Sequence, residues 1–345
     1  MALLNLDNTV QRINTNEYFK LLCPDYPEWL DEYINTPRMQ KQDDISVSSG
    51  MIYTNLFVSK VFYSSLEHSI GVALIIWHFT HDKKQTLAGL FHDIATPVFK
   101  HCVDVMNGDA LKQESTENLT TEMIKNSAEI MALLKRDGIK LEEVDNYHLY
   151  PIADNDTPQL AADRLEYSLS NPLFIFNQAT FDDIKEFYND LEIQKNEFGV
   201  DELGFKTKTI ARKFARLSNK MSVMYRNDRR RFTMRVLADI LKRMKDDGLI
   251  TVEQLYEMKE IEIVELIKKS KYKDIFEILQ NANDIRVSKT APKGVYYVHE
   301  KHKIRYVDPL YNGQRMSRVC KLVKNAINKN LAYDMDNYLY LDFKF

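Results

Sequence analysis

Between about residues 65 and 285, apolar side chains recur at three- and four-residue intervals and Gly and Pro sit at breaks, which predicts a mostly α protein. The stretch 66–80 (LEHSIGVALIIWHFT) is apolar on nearly every side after His68, so it predicts a central buried helix with His68 near its start. A second amphipathic helix over 84–94 (KQTLAGLFHDI) ends at the pair His92-Asp93, with Pro97 marking the loop beyond. Longer patterns predict a helix over 113–137 that stops at Asp137-Gly138, and one over 158–170 that carries Asp163 and stops at Asn171-Pro172. Further helices are expected over 180–196, 206–225 and 228–247, and Thr251 with Gln254 forms the capping box of the next. After about 290 the period changes: 294–298 and 304–307, on either side of the polar HEKHK, read as a hairpin, with 338–343 as a third strand. The expected organisation is a helical domain over 1–285, its core at about 51–200, and a small mixed α/β appendage over 286–345.

Composition narrows the class. With 345 residues, 44% hydrophobic and 28% charged, the chain can bury a large core. It has no run of about 18 apolar residues, and its start (MALLNLDNTVQRIN) lacks the basic and apolar regions of a signal peptide, so a cytoplasmic protein without membrane contact is expected. Cys23, Cys102 and Cys320 are scattered and form no CxxC pair, which argues against a disulfide framework and against zinc on thiolates. A net charge of -3 leaves no overall nucleic-acid footprint.

Four residues carry candidate chemistry: His68, His92, Asp93 and Asp163. Each lies on a predicted helix or helix end, so packing can bring them together despite their separation in sequence. Two imidazoles and two carboxylates suit Mn, Fe, Co, Ni or Zn, with Mg also allowed, and leave positions for water and a phosphate oxygen. An apolar helix that ends by placing a carboxylate beside an imidazole requires a partner for that charge. By contrast, His78 and the pair His81-Asp82 stand in a polar stretch and read as solvated, and His148 reads as a surface residue, with a second-metal role as the less favoured alternative. Asp163 and Tyr167 are four apart and share a helix face. The cluster from Tyr225 to Arg231, with Arg226 within it, supplies local positive charge suited to a polyphosphate, or equally a solvated helix start.

In this order, SLEHSIGV (65–72), LFHDIATPVFKH (90–101), QESTENLTTEMI (113–124) and AADRLEYSL (161–169) resemble the motifs of the HD-domain metal-dependent phosphohydrolases. The chain is most similar to the branch of deoxynucleoside triphosphate triphosphohydrolases (dGTPase-like), whose motifs read EHSLGV, HDxGHxPFxH, HE before a helix, and DADRLDY. TPRMQK (36–41), MYRNDRRR (224–231) and RYVDPL (305–310) extend the likeness over most of the chain. The resemblance implies an HD-domain helical bundle in which His68, His92, Asp93 and Asp163 hold the metal. It also implies that His101 supports the site, that Glu114 is the acidic residue of the third motif, and that Arg164 and Tyr167 contact substrate phosphates. Relatives of this branch form dimers and tetramers, which implies a homo-oligomer.

Departures from the pattern fall beside the cage. Thr96 and Gln113 stand where the branch has imidazoles, Ser65 replaces an Arg near the nucleotide, and Ser46 and Val47 stand about where a sugar-reading Gln is expected. Neither Thr nor Gln shuttles a proton near neutral pH, so the acid step must come from elsewhere. The expected function is metal-dependent hydrolysis of a nucleotide or other phosphorylated small molecule, with Glu114 as general base or water-orienting group and Arg164, Tyr225 and Arg226 at the phosphates. The alternative is a catalytically weak, metal-retaining nucleotide-binding or regulatory protein. Nucleic-acid binding through the short basic cluster is disfavoured by Asp228 within it.

Overall fold

The computed structural model describes residues 10–57, 59–116 and 119–345. It is mostly helical with small sheets, as the periodicity predicts. The central helix spans Ser65–Thr80 and is set by a capping box: the Glu67 N–H donates to Ser64 Oγ at 3.1 Å and the Ser64 N–H to the Glu67 carboxylate at 2.7 Å. His81 in the left-handed region (φ 49°) ends it, and the Asp82 carboxylate caps the next helix, Lys83–Phe91, by accepting from the N–H groups of Lys84 and Gln85. The dipeptide that reads as a solvated loop is therefore the tight corner between the two central helices. Their close approach depends on Gly89, because a Cβ there would lie 2.2 Å from Ile76 Cδ1. The helix Ala162–Ser170 packs on Ser65–Thr80 at Gly71, where a Cβ would lie 2.8 Å from Glu166 Cγ. These contacts bring His68, His92 and Asp163 to one place.

Apolar burial divides between two clusters. One gathers the central pair of helices with Asn16–Leu22, Ala162–Ser170 and Lys208–Tyr225; the other gathers Asp228–Asp246, Glu260–Lys269, Lys273–Asn281 and the segment 98–105. Each fully buried Leu, Ile or Phe contributes roughly 1.5–3 kcal/mol. Residues 286–345 join both clusters: Val307, Met316, Val323 and Ile327 enter the first, and Val298, Leu339 and Phe343 the second. No helix among the described residues is long and apolar enough to cross a membrane.

Three expected elements differ. The pattern over 180–196 is a shorter helix, Phe181–Asn189, followed by a hairpin of Leu191–Lys195 and Asp201–Phe205, because Asn196 Oδ1 accepts from the N–H of Phe198 and Val200 and Gly199 takes φ 74°. The pattern over 113–137 breaks into Thr120–Asn126 and Ala128–Arg136, with Ser127 capping the second; Glu117 and Asn118 lie outside the described residues. The hairpin of 294–298 with 304–307 does not form. Instead Tyr297–Val298 and Arg286–Ser288 both pair antiparallel with Tyr338–Tyr340. Residues 304–307 run outside any strand, held by side chains such as Asn219, whose Nδ2 donates to Val307 O at 2.9 Å. The chain then adds Leu310–Tyr311 parallel to the end of Asp201–Phe205, and the helix Lys321–Leu331 packs on Lys208–Tyr225.

Candidate metal centre

His68, His92 and Asp163 present donor atoms that all lie within 4.8 Å of one another. His68 Nε2 is 3.1 Å from Asp163 Oδ1, and His92 Nε2 is 3.7 Å from the same oxygen. The other nitrogen of each ring is already committed. His68 Nδ1 meets the Glu166 carboxylate in a very short contact, and His92 Nδ1 lies 2.7 Å from the Gly89 carbonyl, so each ring is oriented with Nε2 toward Asp163. The donor set, its spacing and this outer support fit a divalent cation with bonds of about 2.0–2.2 Å.

Asp93 sits at the edge of this cluster. Its Oδ2 is 3.8 Å from His92 Nε2 but takes a 2.6 Å ion pair from Lys100 and a 3.3 Å hydrogen bond from Ser65. Phe99 and Lys100 both adopt positive φ (60° and 44°), a strained turn that carries the Lys100 amine back to Asp93. Burial opposes ionisation of Asp93 and Asp163, but Lys100 and His92 at the first and His68 and His92 at the second outweigh it, so both carboxyls are held well below the usual range. Burial also opposes protonation of His68, yet Glu166 and Asp163 prevail and push it up to about 10.

This proton occupies the nitrogen a cation needs, which gives a signed expectation. Below about pH 10 metal loading must displace it, so affinity for Mn²⁺ rises with pH, by about tenfold per unit between pH 6.5 and 8.5. Calorimetry in buffers of different ionisation enthalpy checks this through the release of about one proton per cation. A pH-independent affinity contradicts it. In the metal-free protein the sign for stability is opposite: the contribution of protonated His68 is complete below its unfolded value of 6.5 and is lost as pH rises toward 10.

The cluster lines a cavity of about 800 Å³. Its walls include the expected His101, Glu114, Arg164, Tyr167 and Tyr225, together with Lys100, Gln113, His148, Arg230, Lys303 and Arg305. His101 is neutral: burial pushes it down to about 4, and its Nδ1 is 3.0 Å from Asp104, whose other oxygen accepts from Ser115. Its Nε2 faces Arg305 at 3.5 Å. Glu114 is half exposed at the rim and pairs with Lys303 at 3.0 Å rather than with the His and Asp cluster. Arg164 reaches the cavity but spends its guanidinium on Asn155 and Gln159, which shapes the wall formed by its own loop. Tyr225 accepts from Asn171 and donates to Tyr167 O, and burial keeps both phenols protonated.

One expected substrate contact is placed elsewhere. Arg226 is buried away from the cavity, where it donates to Ser222 O and Oγ at 2.8 Å and to Asn330 O, and lies over the Tyr333 ring. The cap at Asn227 resets the helical phase, so Arg230 is the member of the basic cluster that lines the cavity. Of the replaced positions, Gln113 lines the cavity at φ 59° and Thr96 does not. His148, expected at the surface, is exposed but also lines the cavity, 2.7 Å from Asp154. Sequence reasoning missed Glu166, Lys100 and Arg305, and within the basic cluster 225–231 it singled out Arg226 rather than Arg230. For Glu166 a signal existed, since it follows Asp163 by three residues on one helix face.

No family model matches the chain. It is 24% identical over 283 residues to the uncharacterized protein YdhJ of Bacillus subtilis (strain 168), covering 81% of this chain and 83% of that one. It is 25% identical over 126 residues, 36% of each chain, to the metal-dependent phosphohydrolase cns2 of Cordyceps militaris. Among solved structures, a hypothetical protein from Aquifex aeolicus superposes with a TM-score of 0.63 at 17% identity, over 92% of this chain and 93% of that one. A phosphohydrolase from Bacteroides thetaiotaomicron superposes with a TM-score of 0.61 at 12% identity, over 90% and 94%. These structures share the fold along nearly the whole chain.

Proposed function

We propose that the protein is a metal-dependent phosphohydrolase of the HD-domain kind, acting on a phosphorylated small molecule, with a nucleotide as the favoured class. The observation that carries this reading is one cavity joining the His68, His92 and Asp163 cluster to two guanidiniums, Arg230 and Arg305, that meet no carboxylate among the described residues. The names of two similar proteins, one metal-dependent phosphohydrolase and one phosphohydrolase, agree with it.

His68, His92 and Asp163 would hold a divalent cation, with Asp93 as the fourth ligand. When bound, the cation supplies Lewis-acid polarisation of a phosphoryl oxygen and acidifies water. The chain's own residues do the rest. Glu166 and the Gly89 carbonyl keep the imidazoles in the binding tautomer. Lys100 balances Asp93. Arg230 and Arg305 stabilise charge on the phosphate, and His101, oriented by Asp104, presents a neutral Nε2 that can take or return a proton. Tyr147, Tyr167 and Tyr225 line the cavity with rings against which a sugar or base can lie.

The expected result is that protein stripped with chelator and reloaded with Mn²⁺, Fe²⁺, Co²⁺ or Ni²⁺ releases phosphate from a panel of phosphorylated metabolites, while the stripped protein does not. No release under any of these cations, with metal content verified, counts against the reading.

A further inference from the structure

Among the described residues, five Lys or Arg side chains line the cavity, and three of them are already engaged. Lys100 is paired with Asp93 at 2.6 Å, Lys303 with Glu114 at 3.0 Å, and Arg164 is held by its own loop with Asp154 at 4.0 Å. Arg230 and Arg305 remain. Among the described residues, Arg305 Nη2 donates only to neutral acceptors, Gln113 Oε1 at 2.7 Å and His101 Nε2 at 3.5 Å. The Arg230 side chain has no hydrogen bond or ion pair among the described residues, and the neighbouring charge of Arg305 adds to burial in pushing it down to about 10. Two partly buried like charges without a counter-ion are unfavourable unless an anion joins them.

The position of Arg305 is also built. Its carbonyl accepts from Ser222 Oγ in a very short contact and from Asn330 Nδ2 at 3.0 Å. Both groups are in turn held by the buried Arg226, which donates to Ser222 and to Asn330 O. Arg226 is thus a positioning residue: it fixes the backbone from which Arg305 enters the cavity. In the sequence, Arg305 lies more than two hundred residues beyond His92, so the C-terminal segment completes the site.

The charge balance limits what can bind. Among the described residues, six carboxylates face the five cationic side chains, so a bound dication leaves the lining with a net charge of about +1 that an anion can offset. A phosphate monoester, with about two negative charges, matches two open guanidiniums through charge-assisted hydrogen bonds. A triphosphate brings more negative charge than the remaining cations offset.

We propose that Arg305 and Arg230 form the receptor for a single phosphoryl group, so that the substrate class is a phosphate monoester rather than a nucleoside triphosphate. This rests on the phosphohydrolase reading for the reaction, but the receptor itself is testable without metal. Inorganic phosphate is titrated into the metal-free protein by calorimetry, with Arg305→Ala, Arg230→Ala and Arg305→Lys alongside. The expected result is a loss of about ten- to hundredfold in phosphate affinity for each Ala variant and a smaller loss for Arg305→Lys. Wild-type protein that binds no phosphate at millimolar concentration, or Ala variants that match it, overturns the receptor. In the second arm, the Mn²⁺-loaded protein is given nucleoside monophosphates, sugar phosphates and nucleoside triphosphates at equal concentration. Monoesters are expected to give a kcat/KM at least about tenfold higher, with Arg305→Ala lowering it by about ten- to hundredfold. Preference for triphosphates overturns the substrate class. Phosphate binding that depends on both arginines without hydrolysis of any substrate removes the reading while leaving the receptor; hydrolysis unaffected by either Ala variant does the reverse.

Discussion

Asp163→Ala is expected to abolish metal retention and to lower phosphate release by about a hundred- to a thousandfold or more. Asp163 Oδ1 is the atom that both imidazoles approach, at 3.1 Å from His68 Nε2 and 3.7 Å from His92 Nε2. Its removal takes away the carboxylate at the centre of the set and leaves two imidazoles and Asp93, itself paired with Lys100, to hold a dication. A bound metal contributes several kcal/mol of transition-state stabilisation, and each 1.4 kcal/mol is tenfold in rate. The variant is checked by metal content after dialysis and by initial rates under saturating Mn²⁺. Activity within about tenfold of wild type would falsify the assignment of Asp163.

The second large effect is expected at Glu166, which touches no substrate. It is fully buried and gathers four donors: the hydroxyls of Tyr18, Tyr63 and Ser170 and the Nδ1 side of His68. Glu166→Gln keeps the shape but turns one acceptor oxygen into a donor facing other donors. Metal affinity should fall about ten- to hundredfold, because the imidazole proposed to ligate the cation loses its support. Thermal stability should fall as well, by roughly 1–3 kcal/mol for a buried polar group left without its partner. Glu166→Ala should lose more stability, since it also opens a cavity beside Gly71. A metal affinity equal to wild type in Glu166→Gln, whatever its melting temperature, would mean that Glu166 serves the fold alone.

The helices that build the site were legible because each carries its own period: 66–80 is apolar on all sides and 206–225 and 228–247 alternate faces, so their bounds emerge within a few residues. Where turn chemistry interrupts a run, the period misleads. Asn196 and Gly199 convert the end of a predicted helix into a hairpin, and 304–307, with apolar spacing suited to a strand, is held by side chains instead. His68, His92, Asp93 and Asp163 stand out in the sequence because their motifs are local, and the fold brings the donor atoms of three of them, all but Asp93, within 4.8 Å of one another. RYVDPL (305–310) carries a family likeness but no role for Arg305, since nothing near 305 signals that Ser222 and Asn330 will hold its backbone against a cavity that, Lys303 apart, is lined by residues from 47–234. Arg226 and Arg230 were equally basic in sequence. The cap at Asn227 decides between them by turning one into the core and the other toward the cavity, and a cap of that kind is settled by packing.

The proposed divalent cation among His68, His92 and Asp163 is tested most directly by an anomalous difference map from crystals grown with Mn²⁺. One strong peak is expected within about 2.0–2.3 Å of His68 Nε2, His92 Nε2 and an Asp163 oxygen. A map with no peak there, or with the ion bound elsewhere in the cavity, would contradict it.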